Sequence, residues 1–343
     1  MLAVCKVQPG EGGIEVCERE SRDPTSGEIL VKVVAAGICG TDMQIYYWAP
    51  RMARRMKLPC VLGHEICGTV EKLGEGVRHI AVGDYVSLES HVYCGFCRTC
   101  RLGKAHLCEN TQYPGINFDG GFAEYVTVPS QIAWKVSEKL PKEVAVMMEP
   151  FGISVHATMA GSGVSGKSVL VNGCGPIGLM NVATARALGA TKVIACDINP
   201  LRLKTAQTMG ASRAVNPLEE DLNSIVKSLT DNTGVDVAIE YSGSEEGFNS
   251  CFLALAKGGD FRLVGAPPQS IPVDFTQWLT KCPSMQNIHG RLIWETWQYS
   301  SELLLTGAVD LSPIHSHSLD IKDGPLGFEL IKEGKAIKPL IVP

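Results

Sequence analysis

The sequence predicts an α/β chain in two domains, one of short antiparallel strands and one of βαβ units wound on both faces of a parallel sheet. Three observations predict it. The chain has 343 residues, more than one ordinary core accommodates. Up to about Pro150 it alternates short β-branched runs with glycine turns. From about Gly166 the rhythm becomes strand and helix in alternation.

In the first part, Ile29 to Ala35, Gly68 to Leu73 and Gly83 to Leu88 read as short antiparallel strands. In the second, Lys167 to Asn172 and Lys192 to Asp197 read as strands, each followed by a helix, Pro176 to Leu188 and Pro200 to Met209. Ile177, Met180, Thr184, Ala187 and Leu188 recur at three- and four-residue spacing, which predicts one apolar stripe against a sheet. A strand from Asp236 to Tyr241, a helix from Glu245 to Ala256 and a strand from Phe261 to Gly265 carry the pattern to about Gly290. The last segment, Trp294 to Pro343, starts as a helix and continues as irregular β, which predicts a return to the first domain. The expected domains are therefore residues 1–153 with 295–343, and residues 154–294. The apolar stretches Phe261 to Val264 and Ile271 to Phe275 are expected to pair across an interface between copies.

Composition narrows the function. With 45% hydrophobic and 20% charged residues the chain has ample apolar material for a globular core. A net charge of −5 without runs of like charge argues against gripping nucleic acid or anionic lipid, and leaves small-molecule chemistry. Met1 to Gly10 lacks the features of a signal peptide and no apolar run is long enough to span a bilayer, so a cytoplasmic location is expected. Thirteen cysteines in a reducing compartment point to a metal rather than to disulfides.

Three groups of residues carry chemistry. Gly173-Cys174-Gly175-Pro176-Ile177-Gly178 follows an apolar strand and opens a helix, with Asp197 ending the next strand. In that context the glycines let the backbone approach a pyrophosphate, the helix start offers free N–H groups, and Asp197 holds the ribose hydroxyls. Asp197 repels a 2′-phosphate and so predicts NAD rather than NADP, while Arg202 on the following helix leaves room for modest NADP use. Val264 and Gly265 are expected to complete the cofactor site.

Cys94, Cys97, Cys100 and Cys108 lie close enough in sequence to converge on one tetrahedral metal, in a loop with too little apolar material to fold otherwise. Zinc is the expected ion; the spacing alone also admits an iron–sulfur cluster or unconnected thiols. Cys39, His64, Glu65 and Glu149 are dispersed, and each alone has an ordinary structural explanation. Together they have the ligand types of an open zinc site with three protein donors.

With Gly120-Gly121-Phe122-Ala123-Glu124-Tyr125 added, these motifs stand in the order found in zinc-containing medium-chain alcohol dehydrogenases, and the resemblance covers essentially the whole chain. It implies a GroES-like β domain carrying both zincs and a Rossmann domain binding NAD. It implies further that Cys39 and His64 bind catalytic zinc with Glu65 or Glu149, that Thr41 receives the substrate proton, and that His91 meets the substrate. Gly115 to Gly121, Glu149 to His156, Gly290 to Trp297 and Asp310 to Ile314 are most similar to the threonine and polyol dehydrogenase branch. The implied activity is oxidation of a secondary alcohol on a small polar substrate, threonine first and a polyol as the alternative. A non-catalytic NAD(P)-binding protein is a third reading. One departure stands out: Gln44 occupies a position where threonine dehydrogenases carry a proton-relay histidine. The segment Tyr46 to Met56 is expected to rim the substrate pocket, and relatives suggest a homo-oligomer, tetramer or dimer.

Overall fold

Three sheets organise the computed structural model, which describes residues 1–343. The chain divides into two units, Met1–Glu149 with His315–Pro343, and Pro150–Ile314. The first stretch contributes strands β1 (Leu2–Lys6), β2 (Ile14–Glu18), β3 (Glu28–Gly37), β4 (Cys60–Val61), β5 (Glu65–Leu73), β6 (Tyr85–Leu88), β7 (Tyr125–Pro129) and β8 (Ala133–Lys135). Its helices are short: α1 (Gly40–Tyr46), α2 (Pro50–Ala53), α3 (Arg98–Arg101) and α4 (Lys142–Ala145). Helix α5 (Met148–Met159) leads into β9 (Ser168–Asn172), α6 (Pro176–Ala187), β10 (Lys192–Cys196), α7 (Pro200–Thr208), β11 (Arg213–Val215) and α8 (Leu222–Leu229). Then come β12 (Val235–Glu240), α9 (Glu245–Ala254), β13 (Leu255–Leu263), α10 (Phe275–Lys281), β14 (Ser284–Asn287) and α11 (Glu295–Leu305). The chain ends with β15 (His315–Asp320), α12 (Gly324–Lys332) and β16 (Lys338–Val342).

The first unit is a β fold around β3. That strand pairs antiparallel with β5 along its length, with β7 at its start and with β16 at its end, in a seven-stranded sheet. Alternating apolar residues make it possible: Val31, Ile66, Val70, Val86 and Leu88 are buried in one core with Phe122 and Phe328 of α12. A second sheet of β2, β1 and β4 is tied by a Cys5–Cys17 disulfide, which a reading of the cysteines as metal ligands did not anticipate.

The second unit is a six-stranded parallel sheet in the order β11-β10-β9-β12-β13-β14. Renumbered from β9, this is the 3-2-1-4-5-6 order of dinucleotide-binding folds, in which the strand order reverses between the first and fourth strands. All five residues of β9 are buried, as expected for a strand covered on both faces. The helices start where short polar side chains cap them: Asn199 accepts from the N–H groups of Leu201 and Arg202, Asp221 from Asn223, Ser244 from Gly247.

Several sequence expectations shift. Helix α6 is buried from Gly178 through Ala185 rather than along one stripe, while Ile177 is half-buried and Ala187 exposed. The cause is α5, which packs on it through Ser154–Thr184 (3.0 Å) and an Asn181 donor to Thr158 (2.7 Å), so that α6 is covered on two sides. Within the chain, Phe261 to Val264 lies at the end of β13 and its continuation, between β12 and β14, and Ile271 to Phe275 forms no strand. The return to the first unit falls after Ile314 rather than at residue 295. Helix α11 buries Trp297 and Ser300 completely, and the turn Ser312–Ile314 packs on α6 and α7, which holds this segment in the dinucleotide unit. No helix is long and apolar enough to cross a membrane.

Arg262 on β13 closes the end of α5. Fully buried, it donates to the carbonyls of Ala157 (2.8 Å), Thr158 (3.0 Å) and Gly163 (2.9 Å) and lies 3.3 Å from Asp260. Arg262→Met leaves those carbonyls without a donor and is expected to destabilise the dinucleotide unit by about 3 kcal/mol. Urea unfolding followed by tryptophan fluorescence measures it, and an unchanged midpoint contradicts it.

Candidate metal and cofactor sites

Strand register gathers the dispersed residues of the first unit. Gly37 at the end of β3 pairs with Glu65 at the start of β5, and Ile66 pairs with Leu88 at the end of β6. Cys39 follows β3, His64 precedes β5 and Glu89 to His91 follow β6, so all emerge at one end of the sheet. Cys39 is the N-cap of α1, and its backbone N–H is held by Asp42 Oδ2 at 2.9 Å. The ligand atoms of Cys39, His64 and Glu65 lie within 4.8 Å of one another.

Acidic side chains crowd around His64 in this cluster. His64 is buried, its Nδ1 has no hydrogen-bond partner, and Asp42 Oδ1 lies 3.7 Å away. Burial works against a charged imidazole there, yet Asp42, Cys39 and Glu149 outweigh it and push the His64 pKa up to about 10. Anionic groups converging on a buried ring are the surroundings that a divalent cation neutralises. Thiol, imidazole and carboxylate donors with a position left open fit zinc.

Glu65 has a partner that sequence reasoning missed. Lys338 of β16 donates to both Glu65 oxygens, at 2.8 and 2.7 Å, and to the Ile38 carbonyl at 3.1 Å. Both side chains are fully buried, and contact at both oxygens defines an ammonium–carboxylate pair. The only sequence signal is a lysine inside an apolar strand, Ala336 to Val342. Glu149 is buried at the start of α5, near enough to act electrostatically on His64, Glu65 and Lys338, but outside the 4.8 Å group. Thr41 is half-buried in the first turn of α1, and Gln44 is exposed on the same helix. Of the Tyr46 to Met56 segment, Tyr46, Met52 and Met56 are buried, and Arg51, Arg54 and Arg55 are exposed. His91 is buried rather than a solvent-exposed loop residue.

The four-cysteine loop forms the second cluster, with all four sulfurs within 4.8 Å of one another. Backbone N–H groups point at them: Cys94 and Asn110 donate to Cys108 Sγ, each at 3.3 Å, and Cys97 to Cys94 Sγ at 3.4 Å. The Thr99 hydroxyl and backbone N–H groups of Cys100 and Glu109 lower the Cys97 thiol to about 6, which favours the thiolate that binds metal. A closed set of four thiolates fits structural zinc.

In the second unit the glycine turn lies between β9 and α6. Gly173 has φ +92°, and a Cβ there would lie 2.7 Å from the Ser242 nitrogen beyond β12; at Gly178 it would collide with the Gly173 carbonyl. A Cβ added at Gly175 would meet nothing within 4 Å beyond its chain neighbours, and as N-cap of α6 the residue brings no capping side chain. Two glycines thus close the turn on its neighbours and one leaves it open to a ligand. Asp197 Oδ2 accepts the Cys174 N–H at 2.7 Å and Oδ1 the Asn199 N–H at 2.8 Å, which orients the carboxylate. Arg202 lies 3.6 Å from it. Pro176 and Ile177 are half-buried in the first turn of α6. Val264 and Gly265 both donate to the Glu240 carbonyl at 2.9 Å, at the carboxyl end of β12. Glu240 was also missed; its buried carboxylate holds the Ser242 and Gly243 N–H groups of the adjoining loop.

Known proteins match this geometry. Residues 25–138 match the alcohol dehydrogenase GroES-like domain and residues 176–306 the zinc-binding dehydrogenase family. L-threonine 3-dehydrogenase of Pyrococcus horikoshii is 42% identical over 340 residues, 98% of this chain and 97% of that protein. The chain belongs to the zinc-containing medium-chain alcohol dehydrogenases. L-threonine 3-dehydrogenase of Vibrio parahaemolyticus is 38% identical over 99% of this chain and 98% of that one. Among solved structures, alcohol dehydrogenase TADH from Thermus sp. ATN1 superposes with a TM-score of 0.91 at 31% identity, covering 100% of this chain and 99% of that one. The 2R,3R-butanediol dehydrogenase of Bacillus subtilis superposes with 0.89 at 26% identity, with the same coverage. This dehydrogenase is therefore an oxidoreductase acting on CH–OH groups with zinc and a nicotinamide cofactor, and the non-catalytic reading is set aside.

The Glu65–Lys338 pair makes a thermodynamic demand. Lys338→Met strands a buried carboxylate and is expected to cost the zinc-free dehydrogenase about 3 kcal/mol, and adding Glu65→Gln is expected to restore most of it. Chemical unfolding of both variants after chelation measures this. Additive losses in the double variant contradict it.

Proposed function

We propose that the enzyme oxidises the 3-hydroxyl of L-threonine to the 2-amino-3-oxo acid, with NAD as hydride acceptor. The chemistry rests on one observation, the open donor set of Cys39, His64 and Glu65 at the end of the sheet. The choice of substrate is supported by the relatives that share about 40% of their residues with nearly the whole chain and bear the name L-threonine 3-dehydrogenase.

In this reading Cys39, His64 and Glu65 are the protein ligands of catalytic zinc, and Glu149 stands beside them as a further anion. When bound, zinc supplies Lewis acidity that lowers the pKa of the substrate hydroxyl. Oxidation removes a proton from that oxygen and a hydride from its carbon, forming a C=O bond. Thr41 takes the proton from its place in the first turn of α1, and His91 contacts the substrate. Gln44, one turn along, does not titrate, so the proton passes from Thr41 to solvent and the rate depends on external base. In the dinucleotide unit Gly173 to Gly178 take the pyrophosphate, Asp197 the ribose hydroxyls, and Val264 and Gly265 line the nicotinamide side. Arg202 lies beside Asp197 and offsets part of its charge, which leaves NAD preferred and a little NADP use. Cys94, Cys97, Cys100 and Cys108 hold a structural zinc.

A polyol is the second reading, favoured by Gln44 in place of a relay histidine and by the likeness to a butanediol dehydrogenase. Copies of the chain associate as a homo-oligomer along the free edge of β14, which carries exposed Met285, while Phe275 and Leu279 of the preceding helix α10 are exposed as well. A reducing cytoplasm suits a chain with eleven of its cysteines unpaired.

The test is NAD reduction with L-threonine, sorbitol and butane-2,3-diol side by side. L-threonine is expected to give the highest kcat/KM; a polyol exceeding it by more than about tenfold, roughly 1.4 kcal/mol in transition-state binding, replaces it as substrate.

A further inference from the structure

Glu240, the last residue of β12, is fully buried and is used twice. Its carbonyl accepts the N–H groups of Val264 and Gly265, each at 2.9 Å, where the chain leaves β13. Its carboxylate turns to the loop after its own strand: Oε1 accepts the Ser242 N–H at 2.7 Å and the Ser242 hydroxyl, and Oε2 accepts the Gly243 N–H at 3.0 Å. The Asn172 side chain at the end of β9 adds a further hydrogen bond. One residue thus joins the loop after β12 to the loop after β13. The joint has little slack. A Cβ on Gly265 would lie 2.5 Å from the Gly243 nitrogen and 2.7 Å from Glu240 Oε2, and one on Gly243, whose φ is +66°, would lie 3.0 Å from the Ala266 carbonyl oxygen.

The strand order reverses between β9 and β12, so a dinucleotide laid across the carboxyl ends puts one nucleotide over β9 and β10 and the other over β12 and β13. Asp197, just beyond β10, marks the adenosine side, which leaves the joined loops to the nicotinamide side. The Gly173 turn backs onto Ser242 but has anchors of its own, Gly173 N–H to the Cys196 carbonyl at 2.8 Å and Cys174 N–H to Asp197 at 2.7 Å.

We propose that Glu240 is a positioning residue for the nicotinamide half of the cofactor, locking the loops after β12 and β13 into one platform while the adenosine half is held elsewhere. The proposal rests on the reading that Val264 and Gly265 line the nicotinamide side of an NAD site. A side chain with two acceptor oxygens is what the platform requires, because the Ser242 and Gly243 N–H groups must be met together in a buried place. Glutamine fills the same volume but sets an NH2 donor against one of those N–H groups, whichever way its amide turns.

The experiment compares NADH with ADP, which keeps the adenosine and two phosphates but lacks the nicotinamide nucleoside. Calorimetry on the zinc-loaded full chain gives both Kd values for wild type, Glu240→Gln, Glu240→Ala and Gly265→Ala, whose added methyl presses on the same carboxylate. All three variants are expected to raise the NADH Kd by about fivefold or more, with the ADP Kd within about twofold of wild type. The emission of bound NADH is expected to shift toward that of the free cofactor. Glu240→Gln carries the test if Glu240→Ala does not fold, and the Glu240→Gln/Gly265→Ala double variant is expected to be little worse than the weaker single one, since both act on one joint. Equal rises for the two ligands in the Glu240 variants make the residue merely structural and overturn the proposal, as does an unchanged NADH Kd in Glu240→Gln. Asp197→Ala is expected to weaken both ligands. A wild type that binds ADP as tightly as NADH removes the reading beneath the proposal, and the proposal with it.

Discussion

The ammonium of Lys338 and the carboxylate of Glu65 meet inside the first unit, almost wholly shut off from water, and the chemistry proposed for the Cys39, His64 and Glu65 cluster depends on that meeting. Taking two such charges out of water costs several kcal/mol each, and an apolar pair of the same volume is often as stable or more so. Their retention makes sense because a carboxylate is wanted beside Cys39 and His64. Unpaired, that carboxylate would take up a proton in so dry a place and cease to be an anionic donor. Burial pushes the Glu65 carboxyl pKa up, the Lys338 ammonium works against that rise, and its grip on both oxygens keeps the group still.

The pair also ties together the two stretches of the discontinuous first unit. Lys338 comes from a strand that the chain supplies only after completing the dinucleotide unit, and β16 pairs with the end of β3 through Leu340 to Gly37 and Ile341 to Ala36. The same strand therefore closes the sheet and reaches the Ile38 carbonyl, just before Cys39. Gly37 has no side chain because a Cβ there would collide with Glu65. In the dinucleotide unit a comparable economy operates at the turn after β9, where Gly173 and Gly178 are set by the backbone they approach and Gly175 by the space it leaves.

What could be read from the sequence followed how local the physics was. The glycine turn and the four-cysteine loop are contiguous, and each residue type answers a requirement met within a few positions, so both were legible. Cys39, His64, Glu65 and Glu149 were read together by ligand type, with the choice between the two glutamates left open, and the β3–β5 register brings the first three together. Lys338 was not, because its reason lies 273 residues away and nothing near it in sequence asks for a charge. Glu240 was passed over at the end of an apolar strand, since a carboxylate there reads as ordinary loop polarity until its burial is known. The end of the dinucleotide unit and the burial of α6 escaped for a different reason. Helical periodicity in α6 and α11 says that a face is covered without saying by what, and the packing of α5 and the Ser312–Ile314 turn decides that.

We propose that one thiolate, one imidazole and one clamped carboxylate form the catalytic metal site, separate from the four-thiolate loop. Cobalt exchanged into that site, with zinc kept in the loop, reports its ligands directly by X-ray absorption at the cobalt edge. A single sulfur, from Cys39, is expected, with nitrogen and oxygen making up the rest of a four-coordinate shell, and a spectrum that changes in Lys338→Met as the grip on Glu65 is lost. Two or more sulfurs, or none, or a spectrum indifferent to Lys338, would contradict it.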